Sequence, residues 1–293
     1  MTYFYQMKLK DLAEGYSKGL NDIYGAEEPH ALFLVAIDHV LGYSRADFLL
    51  KKDEVITGAQ LDRLQKIEAE LKTGKPLQYI IGETEFYGLR FKVNPAVLIP
   101  RPETEELVEW VIQSSALADA TGSSLRIIDI GTGTGCIAIS IKKNLLAAEV
   151  FALDVSEEAI TIAASNAALN QADINFINAD IRSFNTSQKF DVIVSNPPYI
   201  TDREKEDMHE NVLAHEPHLA LFVANEKPLE FYESIADFAW VTLSDMGLLF
   251  FEINEHLGKE TVEMLRAKSF TNIELKKDMQ GKDRMIKCRK AVI

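Results

Sequence analysis

From Leu125 to the C-terminal region, short apolar runs alternate with stretches of helical periodicity. The runs are Leu125 to Ile130, Glu149 to Asp154, Ile174 to Asp180, Phe190 to Ser195, Gly247 to Ile253, Ile273 to Lys277 and Met285 to Arg289. Their density in Val, Ile, Leu and Phe is that of strands covered on both faces. Strand, helix and strand in repetition predict a doubly wound α/β sheet of seven strands. The first part of the chain reads differently. Leu61, Leu64, Ile67 and Leu71 recur at helical spacing, Thr57 with Gln60 reads as a capping box, and Gly74 with Pro76 supplies a stop. Similar apolar clusters at Ala31 to Leu41 and Arg45 to Leu50 are broken by Gly42 and Ser44, so residues 1–77 are expected to form a small all-helical domain without strands. Between them, residues 78–102 read as a hairpin around Gly88 and a linker stiffened by Pro95, Pro100 and Pro102, leaving 103–293 for the α/β domain.

Composition narrows the class. No apolar stretch approaches the roughly 20 residues that a bilayer span demands, and residues 1–10 lack the apolar core of a secretory leader. Cys136 and Cys288 are too few for a disulfide framework, so a reducing, cytoplasmic setting is expected. The formal charge of −14 divides unevenly: residues 1–80 carry 10 basic and 12 acidic groups, which leaves −12 for the rest. A phosphate backbone is bound through Lys and Arg, so that acidity disfavours a nucleic-acid partner. The segment holding His209, His215 and His218, with Glu210 and Glu216 nearby, reads as a polar loop, and no metal is expected.

Candidate chemistry concentrates in two loops. Gly131-Thr132-Gly133-Thr134-Gly135 lies between the strand ending Ile128-Asp129-Ile130 and a helical run from Ile137. Glycines there let a ligand approach the backbone, yet the dinucleotide pattern G-x-G-x-x-G would need a glycine where Cys136 stands. With the Asp129 carboxylate beside the loop, a ligand bearing positive charge fits better than a diphosphate, and S-adenosylmethionine is such a ligand. Asp154, 19 residues beyond Gly135, is placed either to accept hydrogen bonds from ribose hydroxyls or to cap the next helix. Asp180 is placed to meet an adenine amino group, with Ile181 beside the ring, or to cap the next turn.

The second loop, Asn196-Pro197-Pro198-Tyr199, follows the strand ending Val194-Ser195. Consecutive prolines fix φ and remove donors, so the loop offers acceptors on a stiff chain. The Asn196 side-chain oxygen and the Pro197 carbonyl can receive both N–H bonds of a planar NH2 group, with Tyr199 packed against the target. Such an arrangement favours methyl transfer to a poorly nucleophilic nitrogen, because its hold strengthens as positive charge develops.

These loops, with Leu98-Ile99-Pro100-Arg101-Pro102-Glu103-Thr104-Glu105, Pro76-Leu77-Gln78-Tyr79-Ile80-Ile81-Gly82 and Glu85-Phe86-Tyr87, resemble the release-factor glutamine N(5)-methyltransferase family (HemK-like) among class I S-adenosylmethionine-dependent methyltransferases. The resemblance spans nearly the whole chain. It implies a helical domain that helps to bind a release factor, a hairpin linker and a Rossmann-like catalytic domain. By that resemblance Asp129, Gly131, Thr132, Gly133, Thr134, Gly135, Asp154, Asp180, Ile181 and Asn196 serve the cofactor, and Asn196, Pro197, Pro198 and Tyr199 grip the glutamine of a Gly-Gly-Gln loop. Arg101, Glu103 and Thr104 either shape the glutamine pocket or act as linker caps and ion-pair partners. Where the family often has Glu-Ile-Gly…Gln, this chain has Glu252-Ile253-Asn254-Glu255-His256, with Glu252 a candidate to line the site. The competing readings are an amino-methyltransferase acting on adenine in nucleic acid, a ribosomal-protein glutamine methyltransferase, and a non-catalytic S-adenosylmethionine-binding partner of translation factors.

Overall fold

The computed structural model describes residues 6–120, 124–208 and 210–291; residues 1–5 and His209 lie outside them. The chain divides into two compact units, residues 1–82 with 209–215, and residues 83–208 with 216–293.

In the first unit, β1 (Gln6–Lys8) leads into α1 (Leu9–Tyr24), followed by α2 (Glu28–Leu41), α3 (Arg45–Lys51), β2 (Val55–Thr57), α4 (Gly58–Leu71) and α5 (Leu77–Ile81). Leu61, Leu64, Ile67 and Leu71 form the buried stripe of α4, as their spacing predicts. They pack with Leu12, Tyr16 and Leu20 of α1 and Phe33 and Ile37 of α2. The Tyr16 hydroxyl donates to the Leu64 carbonyl at 2.6 Å, which satisfies it within that core. Two expectations fail here. The unit is not strand-free, since β1 and β2 pair antiparallel. Thr57 makes no capping bond through its side chain, because it ends β2 with extended backbone and its ladder partner is Gln6. The capping box that does form is Ser44 with Asp47, at the start of α3.

The second unit opens with the hairpin β3 (Glu83–Phe86) and β4 (Leu89–Lys92). Its two-residue turn holds Tyr87 and Gly88 at φ of +50° and +70°, the mirror-image geometry that matches strand twist. Next come α6 (Pro102–Ala120), β5 (Arg126–Ile130), α7 (Cys136–Asn144), β6 (Glu149–Asp154), α8 (Glu157–Leu169), β7 (Ile174–Asn178), β8 (Phe190–Ser195), β9 (Ile200–Thr201), a 3₁₀ turn (Asp202–Asp207) and α9 (Glu210–His215), which clusters with the first unit. The chain continues through α10 (His218–Leu221), β10 (Phe222–Val223), α11 (Glu230–Thr242), β11 (Leu243–Glu252), α12 (Gly258–Ala267), β12 (Phe270–Lys277) and β13 (Asp283–Lys290).

Seven strands make one sheet in the order β12-β13-β11-β8-β5-β6-β7, parallel except where β13 runs against β11 and β12. Adjacent residues point to opposite faces: Ile127 and Phe250 join one core with Leu107, Val111 and Ile137 of α6 and α7, while Ile128 and Phe251 join another with Tyr232, Ile235 and Ala239 of α11. Both faces are therefore covered, as the uninterrupted apolar runs predict. The strand order reverses between β5 and β8, and that switch point opens a crevice at their carboxyl ends.

Candidate active site

Register explains why the two loops meet. Ile130 pairs with Ser195 across β5 and β8, so Gly131 and Asn196 leave the sheet as neighbours, about one strand spacing of 4.8 Å apart. The Ser195 hydroxyl donates to the Ile130 carbonyl at 2.6 Å and ties the two exits together. Above them lies a cavity of about 410 Å³, within the range of small-molecule sites. Gly131, Gly133, Asp154, Asp180, Ile181, Asn196, Pro197 and Pro198 all line it.

The glycine loop is built for close approach. Gly131 and Gly133 have φ of +75° and +53°, and a Cβ at either would project into open space. The N–H groups of Gly131 and Thr132 donate to the Leu153 carbonyl, at 2.8 and 3.0 Å, anchoring the loop on β6. Asp154 accepts from the Gly133 N–H through one oxygen and from the Ser156 N–H through the other, both at 2.9 Å. The Val155 N–H also favours the ionised carboxylate; with about four acceptor sites on a carboxylate, capacity remains for a ligand hydroxyl. Burial raises the Asp154 pKa above the ordinary carboxylate value, against the pull of those N–H groups.

The remaining residues of the glycine loop brace it from beneath and do not line the cavity. Asp129 was expected beside the ligand, but it is 0% exposed and its Oδ2 accepts from the Thr132 hydroxyl at 2.6 Å. Burial pushes its pKa up to about 7, and the carboxylate supports the loop from below and does not reach the cavity. Thr134 is buried, and its carbonyl accepts from Asn166 Nδ2 at 3.0 Å. Gly135 faces α8: a Cβ there would sit 3.0 Å from Ile139 Cδ1 and 3.2 Å from the Ala163 methyl. It is the helix-packing glycine, standing one position earlier than in the dinucleotide pattern, which would put it where Cys136 stands.

In the second loop, Asn196 Nδ2 donates to Thr104 Oγ1 at 3.3 Å, which leaves Oδ1 as its free acceptor. Tyr199 does not line the cavity; its hydroxyl donates to Glu252 Oε1 at 3.2 Å and its carbonyl accepts from Asn254 Nδ2 at 3.1 Å. Glu252, offered above as a lining residue, is 1% exposed behind the loop, and burial raises its pKa. Asp180 lines the cavity, but Arg182 forks onto its carboxylate, with the closest contact at 2.7 Å, and lowers its pKa. Arg101 takes the ion-pair option, meeting the buried Glu216 at 2.5 Å. That pair anchors the start of the Pro217, Leu219 and Ala220 segment, which walls the cavity and was not foreseen from sequence. Glu103 accepts from Gln280 at 3.1 Å.

Among the described residues, no group of three or more His, Cys, Asp and Glu side chains converges as metal ligands would. Nor is any helix among them long and apolar enough to cross a membrane.

Residues 17–82 match the PrmC N-terminal domain family, and residues 113–221 match the methyltransferase small domain family. The release factor glutamine methyltransferase of Flavobacterium psychrophilum is 48% identical over 96% of this chain and 99% of its own length. That of Bacteroides thetaiotaomicron is 42% identical over 92% and 95%. A solved methyltransferase structure from Pyrococcus furiosus shares the fold at a TM-score of 0.52 and 19% identity, over 71% of this chain and 91% of that one.

Proposed function

Because this chain belongs to the release factor glutamine methyltransferase family, we propose that it methylates the side-chain amide nitrogen of the glutamine in the Gly-Gly-Gln motif of peptide-chain release factors, using S-adenosylmethionine. One observation carries the chemistry. The acceptor loop Asn196-Pro197 and the glycine loop share a single cavity, so donor and target can be held against each other.

The lining fits the cofactor. The open backbone of Gly131 and Gly133 gives room for a chain to lie flat, Asp154 keeps acceptor capacity for a ribose hydroxyl, and Ile181 with Leu153 offers apolar cover for a ring. When bound, S-adenosylmethionine supplies an electrophilic methyl group on a sulfonium sulfur and leaves as S-adenosylhomocysteine. The protein's task is to make an amide nitrogen attack. Asn196 Oδ1 and the Pro197 carbonyl accept the two N–H bonds of the glutamine, turning the nitrogen lone pair toward the methyl carbon. As nitrogen becomes positive, both acceptors bind it more tightly, which is selective stabilisation of the transition state. The nitrogen then sheds one proton, so no strong base is required of the site.

The acidic total, −12 over residues 81–293, supports a protein substrate over a nucleic acid, and a translation factor as substrate supports a reaction in the cytosol. The test is mass spectrometry of a purified release factor incubated with this enzyme and S-adenosylmethionine, beside an RNA control. A gain of one methyl on the Gly-Gly-Gln glutamine is the expected result; methylation of RNA alone would refute it.

A further inference from the structure

A hydrogen-bonded chain runs behind the acceptor loop. Asn196 Nδ2 donates to Thr104 Oγ1 at 3.3 Å, Thr104 donates to Glu252 Oε2 at 2.6 Å, and the Tyr199 hydroxyl donates to Glu252 Oε1 at 3.2 Å. Thr104 is 3% exposed on the first turn of α6 and Glu252 is 1% exposed at the end of β11, so water cannot substitute for either. From this arrangement we infer that Glu252 and Thr104 are positioning residues that dictate which end of the Asn196 amide faces the substrate.

Hydrogen count decides the orientation. Burial works against the charge on Glu252, but the Thr104 and Tyr199 hydroxyls and the positive charge of Arg284 favour its ionised form, and a carboxylate whose two oxygens both accept has no hydrogen to give. Thr104 must spend its single hydrogen on Glu252, and toward Asn196 it can then only accept. Asn196 therefore presents its NH2 to Thr104 and its oxygen to the opposite side. That oxygen is the acceptor that the substrate NH2 requires. Were the amide reversed, NH2 would meet NH2 and the hold on the target nitrogen would be lost. Local sequence does not force this choice, because an amide side chain is nearly symmetric in shape; the buried carboxylate breaks the symmetry.

The inference rests on the methyl-transfer reading, so its test has one arm that needs no substrate. In the ligand-free protein, the side-chain NH2 resonances of Asn196, assigned by their absence in Asn196→Ala, should be shielded from solvent exchange. They should shift in Thr104→Val and in Glu252→Gln, and return toward their original positions in Thr104→Ser. The kinetic arm follows methylation of a release factor. Thr104→Val and Glu252→Gln should each lower kcat by roughly 30-fold or more, somewhat short of the roughly 100- to 1,000-fold lost when a transition-state hydrogen-bond partner is itself removed. KM for S-adenosylmethionine should stay within about threefold. Thr104→Ser, which keeps the hydroxyl, should recover most of the rate lost in Thr104→Val. The double variant Thr104→Val with Glu252→Gln should lose little more than the worse single one, since both act through one amide. The inference is overturned if the Asn196 resonances ignore both substitutions, or if Thr104→Val and Thr104→Ser are equally impaired. An unaltered enzyme that fails to methylate any release factor would refute the reaction assigned above, whereas the resonance arm would still decide the orientation.

Discussion

Asn166 offers the sharpest test of how the glycine loop is held. It is fully buried on α8. Its Oδ1 accepts from the Lys92 N–H at 2.7 Å, and its Nδ2 donates to the Lys92 carbonyl and to the Thr134 carbonyl, each at 3.0 Å. One amide thus joins the hairpin to the loop. Replacing it with Ala leaves three main-chain groups without that partner, at about 1–3 kcal/mol for each that stays dry. The Thr134 carbonyl lies in a buried setting and should incur the full penalty, while the Lys92 groups, at a partly buried strand end, can recover some hydration. The sum is about 3–5 kcal/mol, a large share of the 5–15 kcal/mol typical of a whole domain. The assay is urea unfolding followed by tryptophan fluorescence. Both tryptophans, Trp110 and Trp240, belong to the second unit, so the signal reports the unit that contains the substitution. Asn166→Asp, which keeps an acceptor but removes the donor, should lose nearly as much. A loss under 1 kcal/mol in Asn166→Ala would refute the claim that this side chain pins the loop.

Four further outcomes are expected. Asp154→Ala should weaken S-adenosylmethionine binding by roughly 10- to 100-fold in calorimetry, whereas Asn196→Ala should abolish transfer with only a moderate loss of affinity; equal losses of affinity would undo that division of roles. Gly135→Ala should destabilise the second unit by about 1–3 kcal/mol in the same urea assay, because φ is +80° and the added Cβ would crowd Ile139 and Ala163; unchanged stability would contradict the packing role. Gly133→Ala should reduce cofactor affinity more than stability, since its Cβ would enter the cavity, and a variant that binds as well as the parent would count against the cradle. Asp129 has its pKa raised by burial from 3.8 to about 7, so the folded state holds its proton more tightly than the unfolded one. That contribution is complete below the unfolded value and is lost as pH rises toward 7. Relative to Asp129→Asn, the parent should lose stability between about pH 4 and 7, and identical pH profiles of the urea midpoint would rule this out.

Most of the α/β unit was legible because its signals are local. Each of the seven apolar runs became a strand of the central sheet, and the glycine turn and the Asn-Pro-Pro-Tyr segment each declare themselves within a few residues. The residues that support them do not. Thr104 and Glu252 are 148 positions apart, and Asn196 and Thr104 are 92 apart, so no window of periodicity joins them. Asp129 was misplaced for a related reason: a carboxylate at a strand end can point up toward a ligand or down under its own loop, and Thr132 decides for the second. The paired strands β1 and β2 span three residues each, too short for alternation to stand out.

The engagement of Asp154 by main-chain groups on both sides has a thermodynamic corollary. Its rotamer is frozen and the glycine loop is already hooked to it before any ligand arrives. The entropy of assembling this corner of the cavity is therefore surrendered during folding, not at the encounter. Association should then approach the speed set by diffusion into the crevice, and differences in affinity among ligands should be expressed chiefly in how long each one stays.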